Sequence, residues 1–286
     1  MAGPRLPEVP ADLPAQVDAA LREDIGGGDV TAALVPATQE VRGALITREN
    51  AVLCGAPWAE ETFRRLDERV RLRWRAHDGD AITAGQVLFD ISGPARAVLT
   101  GERTAVNFLQ LLSATATATR AFAAAVAGTG CTVLDTRKTV PGLRTAQKYA
   151  VRCGGGDNHR LGLYDRVLIK ENHIAAAGSI TQAIAAARRT APGISVEVEV
   201  ETLAEFAEAL DAKPDIVMLD EFSHADLRTA VAQTRARGRP LKLEASGSVS
   251  LENVRAVAET GVDFVSIGSL TKHVRAVDLS MRLEFS

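Results

Sequence analysis

The sequence predicts an α/β protein in which an N-terminal α/β sandwich domain precedes an incomplete, open α/β barrel of six or seven strands. Short apolar segments without a regular order fill the first hundred residues, as in a sandwich built on an antiparallel sheet. After Gly130 a strand followed by a helical segment recurs six times, which indicates right-handed βαβ units and a parallel sheet. A complete eightfold barrel takes about 250 residues. Far fewer follow Gly130, so we expect an open barrel.

The elements of the first part are predicted from hydrophobic periodicity. The segment 70–76 alternates apolar residues with arginines, which indicates a strand with one buried and one solvated face. Similar apolar segments predict strands at 41–47 and 86–91, and a helical pattern predicts a helix at 57–66. The segment 102–127 has neither glycine nor proline, which predicts a long helix that bridges the two domains.

Six short apolar sequences predict the barrel strands of the second part. They are CTVL at 131, RVLI at 166, SVEVEV at 195, DIVML at 215, LKLE at 241 and DFVSI at 263. We therefore expect residues 1–115 to form the sandwich domain and residues 116–270 to form the barrel with the catalytic face. The C-terminal segment 271–286 is expected to be a helix that packs back near the first domain.

Composition and charge indicate an ordinary globular protein. Of the 286 residues, 46% are hydrophobic and 24% are charged, and the formal net charge of −3 argues against general nucleic-acid binding. Three cysteines without a C-x-x-C spacing favour a reducing compartment and argue against a zinc site. The first residues lack the apolar core of a signal peptide, and no apolar run reaches the roughly 18 residues of a membrane span. The expected location is the cytoplasm.

Cationic side chains are concentrated between Asp135 and His173. This segment holds eight lysines and arginines against four aspartates and glutamates, in a chain whose total charge is negative. An anionic ligand is the expected partner. The glycine-rich sequence CGGGDNHR at 153–160 either ends the preceding helix or brings the backbone close to that ligand.

Polar residues follow the predicted barrel strands at the end where barrels place their catalytic groups. An Arg-Lys pair after one strand is usually a surface turn, but several such strand ends at one face predict a site. In chain order the polar groups are Asp135, Thr136, Arg137 and Lys138; Lys170, Glu171, Asn172 and His173; Glu197, Glu199 and Glu201; Asp220 and Glu221; Glu244 and Ser246–Ser248; and Gly268 and Ser269.

Three glutamates alternate with valines between Val196 and Glu201, so all three carboxylates project from one face of one strand. Either this is an exposed edge strand, or the glutamates point inward because helices cover the outside of barrel strands. We favour the second interpretation for one or two of the three. Glu199 and Asp220, at strand ends, offer the hard oxygen ligands that suit Mg²⁺ shared with a phosphorylated substrate.

Short serine and glycine loops follow the last two predicted strands, at 246–248 and 268–269. Barrels commonly hold a phosphate on backbone N–H groups at this position, so these loops predict a phosphate site. Arg103 is predicted in the first turn of the bridging helix, where the helix dipole disfavours a cation. Either Glu102 offsets this effect, or Arg103 reaches an anion, for instance across a subunit interface.

Long motifs run through nearly the whole chain: REDIGGGDVTAALVP, GERTAVNFLQLLS, LDTRKTVPGLRTAQKYAV, CGGGDNHRLGLYDRVLIKENHI, VEVEVE, MLDEFS, LEASGSVSLENV and SIGSLT. On these motifs the chain resembles the quinolinate phosphoribosyltransferases, the decarboxylating nicotinate-nucleotide pyrophosphorylases of de novo NAD synthesis. It departs from the family at two positions. The family more often has an asparagine where Glu221 stands and a second glycine where Ser248 stands.

The resemblance implies an N-terminal sandwich joined to an incomplete barrel, in a homodimer or dimer-based oligomer. It implies a Mg²⁺-dependent transferase that converts quinolinate and phosphoribosyl pyrophosphate into nicotinate mononucleotide, pyrophosphate and CO₂. No nucleic acid and no membrane is an expected partner.

The resemblance also assigns roles to residues at matching positions, with Lys138, Lys170, Glu199 and Asp220 as the catalytic set. The expected ligands are Arg137, His159, Arg160 and, from the neighbouring subunit, Arg103 for the quinolinate carboxylates; Lys138 and Lys170 for pyrophosphate; Glu199 and Asp220 for the ribose hydroxyls, directly or through Mg²⁺; Ser246, Gly247, Ser248 and Gly268 for the 5′-phosphate; and Thr136 as a further substrate-binding residue.

Two other functions fit parts of the pattern. A Schiff-base aldolase would also place a lysine, here Lys170, at the end of a barrel strand, but it would not need the surrounding cations. A non-catalytic phosphate sensor, or a paralogue linked to molybdate transport genes, would share the fold, and fold alone does not decide function.

Overall fold

The computed structural model describes residues 6–238 and 240–285, and the chain divides into two compact units. The first unit comprises Met1–Arg120, Thr139–Gly155 and Leu270–Ser286, and the second comprises Ala121–Lys138 and Gly156–Ser269. The predicted fold class is confirmed, because the first unit contains an antiparallel sheet and the second an open sheet of six parallel strands. The predicted boundary between residues 115 and 116 stays a prediction.

The elements of the N-terminal part confirm the predicted strands and the predicted shorter helix. They are α1 (Leu13–Ile25), a 3₁₀ turn (Ala32–Leu34), β1 (Glu40–Thr47), β2 (Ala51–Val52), α2 (Ala56–Leu66), β3 (Arg71–Trp74), β4 (Ala81–Ile82), β5 (Val87–Pro94) and α3 (Ala95–Ala125).

The start of α3 corrects one prediction. The helix begins at Ala95 rather than at residue 102, so Arg103 lies about two turns inside it, and its placement in the first turn was wrong. Gly101, which directly precedes the predicted start, lies within the helix. A Cβ at Gly101 would come within 2.9 Å of the Phe63 ring. This glycine therefore allows α2 to pack closely and does not end a helix.

The rest of the chain contains all six predicted barrel strands, the helices between them and a further C-terminal strand. In chain order the elements are β6 (Thr132–Leu134), α4 (Arg144–Gly154), β7 (Val167–Ile169), α5 (Glu171–Ala177), α6 (Ile180–Thr190), β8 (Val196–Val200), α7 (Leu203–Ala212), β9 (Ile216–Asp220), α8 (His224–Ala236), β10 (Lys242–Ser246), α9 (Val254–Ala258), β11 (Phe264–Ser266), α10 (Ser269–Lys272) and β12 (Leu279–Phe285).

The prediction of a helix over 271–286 was wrong, because this segment contains the strand β12. Leu279, Met281 and Leu283 alternate with polar residues, which is the period of a strand. β12 pairs antiparallel with β1 along nearly its whole length, from Leu279 opposite Thr47 to Phe285 opposite Val41. The hydrogen-bonding edge of β1 thus determines the conformation of the last residues.

The sheet of the first unit has the order β12-β1-β5-β3, with every pairing antiparallel. Val41, Leu45 and Phe89 point to one face and are fully buried in its core. Arg71 and Arg73 of β3 are exposed, which confirms the predicted solvated face. Among the described residues, no helix combines the length and apolar character needed to cross a membrane.

The sheet of the second unit has the order β6-β11-β10-β9-β8-β7, and all its pairings are parallel. The named strands β6 and β7 form its two edges, so the sheet is not closed. Val196, Val198 and Val200 of β8 are at most 1% exposed, as expected for a strand covered by helices. Because all six strands run the same way, their carboxyl ends lie at one edge, where the polar residues collect.

Candidate active site

A cavity of about 180 Å³ lies among residues of the parallel sheet and its carboxyl-end loops. Four cationic side chains line it, which gives the cavity a positive character. Its lining consists of Thr136, Arg137, Lys138, His159, Arg160, Leu168, Lys170, Glu199, Met218, Glu244, Ser246 and Ser266. The structure therefore brings together eight of the predicted site residues from the ends of different strands.

Hydrogen bonds to Asp135 join the loop at 157–160 to the end of β6. The Asp135 carboxylate accepts the backbone N–H of His159 at 2.9 Å and the side-chain amide of Asn158 at 2.6 Å. The backbone N–H of Asp157 donates to the carbonyl of Val133 at 2.8 Å. These bonds hold His159 and Arg160 at the cavity. Gly155, with φ 94°, ends α4, so the glycine run ends the preceding helix, and its approach to a ligand stays a prediction.

Arg137 and Arg160 provide two guanidinium groups within the cavity lining. The Nε of Arg137 is buried and finds no hydrogen-bond acceptor in the part of the chain that the structure describes. Burial, followed by the charge of Arg137, lowers the pKa of Arg160 from its ordinary value, although an arginine in a protein stays protonated. Two close guanidinium groups with an unused buried donor suit a ligand that carries carboxylates.

Lys138 lies beside Gly268, which is two residues after the end of β11. A Cβ at Gly268 would come within 3.0 Å of the Lys138 Cδ and within 3.7 Å of the Thr136 hydroxyl. The Thr136 hydroxyl accepts the Lys138 backbone N–H at 3.1 Å. The missing side chain at residue 268 therefore leaves space for the lysine stem.

Lys170 and Glu199 form an ion pair between the end of β7 and the end of β8. The backbone N–H of Lys170 donates to Nδ1 of His173 at 3.0 Å, which fixes the first turn of α5. Arg137, Lys138 and Arg160 line the same cavity as Lys170. A Schiff-base aldolase would not need these surrounding cations, which argues against the aldolase alternative.

A buried cluster contains His159, Glu197 and Glu244, and the half-buried Arg166 contacts it. His159 Nε2 lies 3.0 Å from a Glu197 oxygen and 3.6 Å from a Glu244 oxygen. Arg166 Nη1 donates to Glu197 at 3.2 Å. Both glutamates are fully buried. The backbone N–H of Arg160 donates to His159 Nδ1 at 2.8 Å, so Nε2 is the ring nitrogen that faces the carboxylates.

The two buried glutamates differ in their tendency to ionise. Burial disfavours the charged form of Glu197, but hydrogen bonds and charge from His159 and then Arg166 outweigh it and lower the pKa. For Glu244, burial and then the Glu197 charge raise the pKa well above its ordinary value. The Glu197 carboxylate therefore carries the negative charge, and Glu244 is the neutral acid of the pair.

Five predicted site residues do not line the cavity. Asp220 is half-buried at the end of β9, opposite Ser246 in the sheet register. Gly247 and Ser248 follow β10, and Gly268 contacts Lys138. Arg103 belongs to the first unit and is exposed.

The structure adds three residues that the sequence did not indicate, because Leu168, Met218 and Ser266 line the cavity from within strands. Glu244, one of the polar residues named at the predicted strand ends, lines the cavity from the buried part of β10. Glu197 was one of three candidates on β8, and the structure buries it while Glu201 is exposed. In the sequence, Glu244 is a charged residue within an apolar strand segment. Such a residue needs a polar partner when the strand is buried, and this indicates a site.

Comparisons with known proteins assign both parts of the chain to one family. The family model described as quinolinate phosphoribosyl transferase, N-terminal domain, matches residues 29–113, and the model of the C-terminal domain matches residues 115–282. A relative from Mycobacterium leprae (strain TN), named nicotinate-nucleotide pyrophosphorylase (carboxylating), is 43% identical over 270 residues. The match covers 92% of this chain and 94% of the relative.

Solved structures agree with this assignment over the whole chain. The structure of the nicotinate-nucleotide pyrophosphorylase from Francisella tularensis is 45% identical, covers 98% of this chain and 99% of its own, and superposes with a TM-score of 0.92. A structure from Streptococcus pyogenes is 38% identical, covers 99% and 100% of the two chains, and gives a TM-score of 0.93.

Proposed function

Because the chain belongs to the quinolinate phosphoribosyltransferase family, we propose that its cationic cavity binds quinolinate and that the adjoining strand ends bind phosphoribosyl pyrophosphate. The enzyme transfers the phosphoribosyl group to quinolinate with decarboxylation and releases nicotinate mononucleotide, pyrophosphate and CO₂. The assignment of individual residues below is the proposal.

The quinolinate carboxylates bind to Arg137 and Arg160 in this proposal. The main supporting observation is the buried Nε of Arg137, a donor without an acceptor among the described residues, inside a cavity lined by four cations. Guanidinium groups bind carboxylates through two parallel hydrogen bonds. His159 supports Arg160 by accepting its backbone N–H. A direct contact between His159 and a substrate carboxylate stays a prediction.

Catalysis then consists mainly of positioning and charge stabilisation. The quinolinate nitrogen attacks ribose C1′ as pyrophosphate leaves, and Lys138 and Lys170 neutralise the pyrophosphate charge. The ion pair with Glu199 holds the Lys170 side chain in position. After the transfer, the bond between C2 and its carboxylate breaks, and the positively charged pyridinium nitrogen stabilises the electron pair left at C2. A proton from solvent then adds to C2 and completes nicotinate mononucleotide.

Mg²⁺ is the proposed cofactor, held by Glu199 and Asp220 together with the substrate. The two carboxylates come from neighbouring strands and provide hard oxygen ligands. Mg²⁺ is usually bound by one or two carboxylates plus substrate phosphates, so this small donor set fits the ion. Bound Mg²⁺ would reduce the charge of the pyrophosphate leaving group. The 5′-phosphate is assigned to residues 246–248 and Gly268.

A homodimer with shared sites is also proposed, in which Arg103 reaches the cavity of the second copy. Arg103 is exposed. In addition, Leu163 and Tyr164 are 75% and 74% exposed in the second unit, and Val30 and Leu34 are 83% and 82% exposed in the first. Large apolar side chains exposed in neighbouring positions are typical of interaction surfaces. Cytoplasmic location is proposed from the three free, buried cysteines.

The test of the proposed substrate site compares quinolinate with nicotinate. The purified enzyme is incubated with phosphoribosyl pyrophosphate, Mg²⁺ and either acid, and nicotinate mononucleotide and CO₂ are measured. We expect turnover of quinolinate and little or none of nicotinate, which lacks the 2-carboxylate and leaves an arginine unpaired. Equal rates with both acids would overturn the proposal that the arginines recognise a dicarboxylate.

A further inference from the structure

Two neighbouring strand ends carry non-glycine residues with a left-handed backbone. Glu221, directly after β9, has φ 53°, and Ser248, two residues after β10, has φ 46°. Residues other than glycine, asparagine and aspartate are uncommon in this conformation. β9 and β10 are paired in the sheet, with Asp220 opposite Ser246. The two left-handed positions therefore belong to adjacent loops at the carboxyl edge.

The side chains of these two residues are joined across the loops. The Ser248 hydroxyl donates to Glu221 Oε1 at 2.8 Å, and the backbone N–H of Glu221 donates to the carbonyl of Ser246 at 3.0 Å. A Cβ at Gly247 would come within 2.5 Å of the Glu221 carboxyl carbon. The carboxylate thus lies directly against Gly247 and holds the hydroxyl that follows it.

This contact occupies a loop to which a phosphate is assigned. A phosphate group would use the Ser248 hydroxyl and nearby N–H groups as donors. Glu221 already accepts that hydroxyl, and its negative charge lies where a second anion would have to approach. Phosphate binding in this loop therefore requires the Ser248–Glu221 hydrogen bond to break and the carboxylate to move.

We propose that Glu221 is an affinity-determining residue that competes, through its carboxylate, with the 5′-phosphate of the substrate for the Ser248 hydroxyl. The inference rests on the proposed assignment of the phosphate to residues 246–248. It predicts that the chain binds a phosphorylated ribose more weakly than it would with a neutral residue at position 221.

The test measures binding of ribose 5-phosphate by isothermal titration calorimetry, together with the KM for phosphoribosyl pyrophosphate. The main variant is Glu221→Gln, which keeps the shape and an acceptor but removes the charge. Two like charges a few ångströms apart at an exposed site repel enough that Glu221→Gln should tighten binding about threefold to tenfold. Glu171→Gln, which removes an exposed acid after β7, is the control for loss of one negative charge.

A double-mutant cycle separates competition from a general charge effect. Ser248→Ala should change ribose 5-phosphate binding little in the wild-type background, since the hydroxyl is engaged by Glu221. In a Glu221→Ala background, where no side-chain acceptor at residue 221 engages the hydroxyl, the same change should weaken binding severalfold. Equal effects of Ser248→Ala in both backgrounds, or equal gains from Glu221→Gln and Glu171→Gln, would overturn the competition.

The result also distinguishes the inference from the assignment on which it rests. If wild type binds ribose 5-phosphate and Gly247→Ala abolishes binding while Glu221→Gln has no effect, only the role of Glu221 is overturned. If neither Gly247→Ala nor Ser248→Ala changes binding in any background, the phosphate binds elsewhere. Both the assignment to residues 246–248 and the inference about Glu221 are then wrong. Thermal unfolding of each variant checks that it is folded.

Discussion

The imidazole Nε2 of His159 lies 3.0 Å from a carboxylate oxygen of Glu197, and the two side chains are 5% and 0% exposed. The ring is fixed from its other side, because Nδ1 accepts the backbone N–H of Arg160. His159 thereby connects a cavity arginine to a buried charge. A chain of contacts therefore runs from the backbone of Arg160 through His159 to a carboxylate that has no exposed surface.

The first prediction concerns the distribution of charge between Glu197 and Glu244. Glu197→Gln leaves Arg166 without its ionised partner, and we expect a loss of about 1–3 kcal/mol in the free energy of unfolding. Glu244→Gln exchanges a neutral acid for a neutral amide of the same shape, with an expected change within about 1 kcal/mol. Urea denaturation at neutral pH measures the free energy of unfolding of both variants. A larger loss for Glu244→Gln would show that the charge is on Glu244.

The second prediction is a pH dependence caused by the raised pKa of Glu244, to which burial contributes first and Glu197 second. A raised pKa means that the folded state keeps a proton that the unfolded chain has released. This stabilisation is fully present below the unfolded pKa of about 4.3 and is lost as pH rises through the folded pKa. Gln at position 244 does not titrate.

Glu244→Gln should therefore gain stability relative to wild type as the pH rises from about 4.5 to about 8. The measurement is a series of urea denaturation curves for both proteins across this range, with Glu171→Gln as a variant of an exposed acid. A difference between Glu244→Gln and wild type that stays constant with pH would contradict the raised pKa.

The third prediction concerns Arg137. A lysine keeps the charge but lacks the planar guanidinium and its Nε donor, so Arg137→Lys should lower kcat/KM for quinolinate by about 30- to 100-fold. Steady-state kinetics with varied quinolinate at saturating phosphoribosyl pyrophosphate measure kcat/KM for both enzymes. Arg189→Lys, at an exposed position of α6, is the matched control and should behave as wild type. Unchanged kinetics for Arg137→Lys would exclude bidentate recognition by this residue.

The fourth prediction separates the two substrates at Asp220. If this carboxylate helps to hold the ribose and Mg²⁺, Asp220→Asn should weaken binding of phosphoribosyl pyrophosphate much more than binding of quinolinate. Titration calorimetry with each substrate measures the two affinities separately. Equal losses for both would indicate a structural role or misfolding instead.

The fifth prediction tests shared sites between subunits. Homodimers of Arg103→Ala and of Lys138→Ala should both be nearly inactive. In a mixed dimer with reciprocal sites, one site receives both wild-type residues and the other receives both substitutions. Random reassociation of equal amounts makes half of the dimers mixed, so about a quarter of the wild-type activity should return. No recovery, with chain exchange demonstrated by mass spectrometry, would place Arg103 outside the partner's site.

Local sequence patterns were sufficient to predict much of this molecule. The six barrel strands, the alternation in β3 and the inward glutamates of β8 each follow from the spacing of apolar residues within a few positions. The cationic residues Arg137, Lys138 and Lys170 were predicted at the site because they lie in the segments that follow strands. Parallel strands place their carboxyl ends together in any such sheet, so strand order was not needed.

Tertiary structure decided the features that depend on contacts between distant segments. The conformation of residues 279–285 depends on the free edge of β1, and Gly101 is needed because α2 packs against α3 at that residue. The contact between Glu221 and Ser248 exists because β9 and β10 pair in one particular register. Periodicity reports which face of an element is buried, but only the packed chain determines which residue lies opposite.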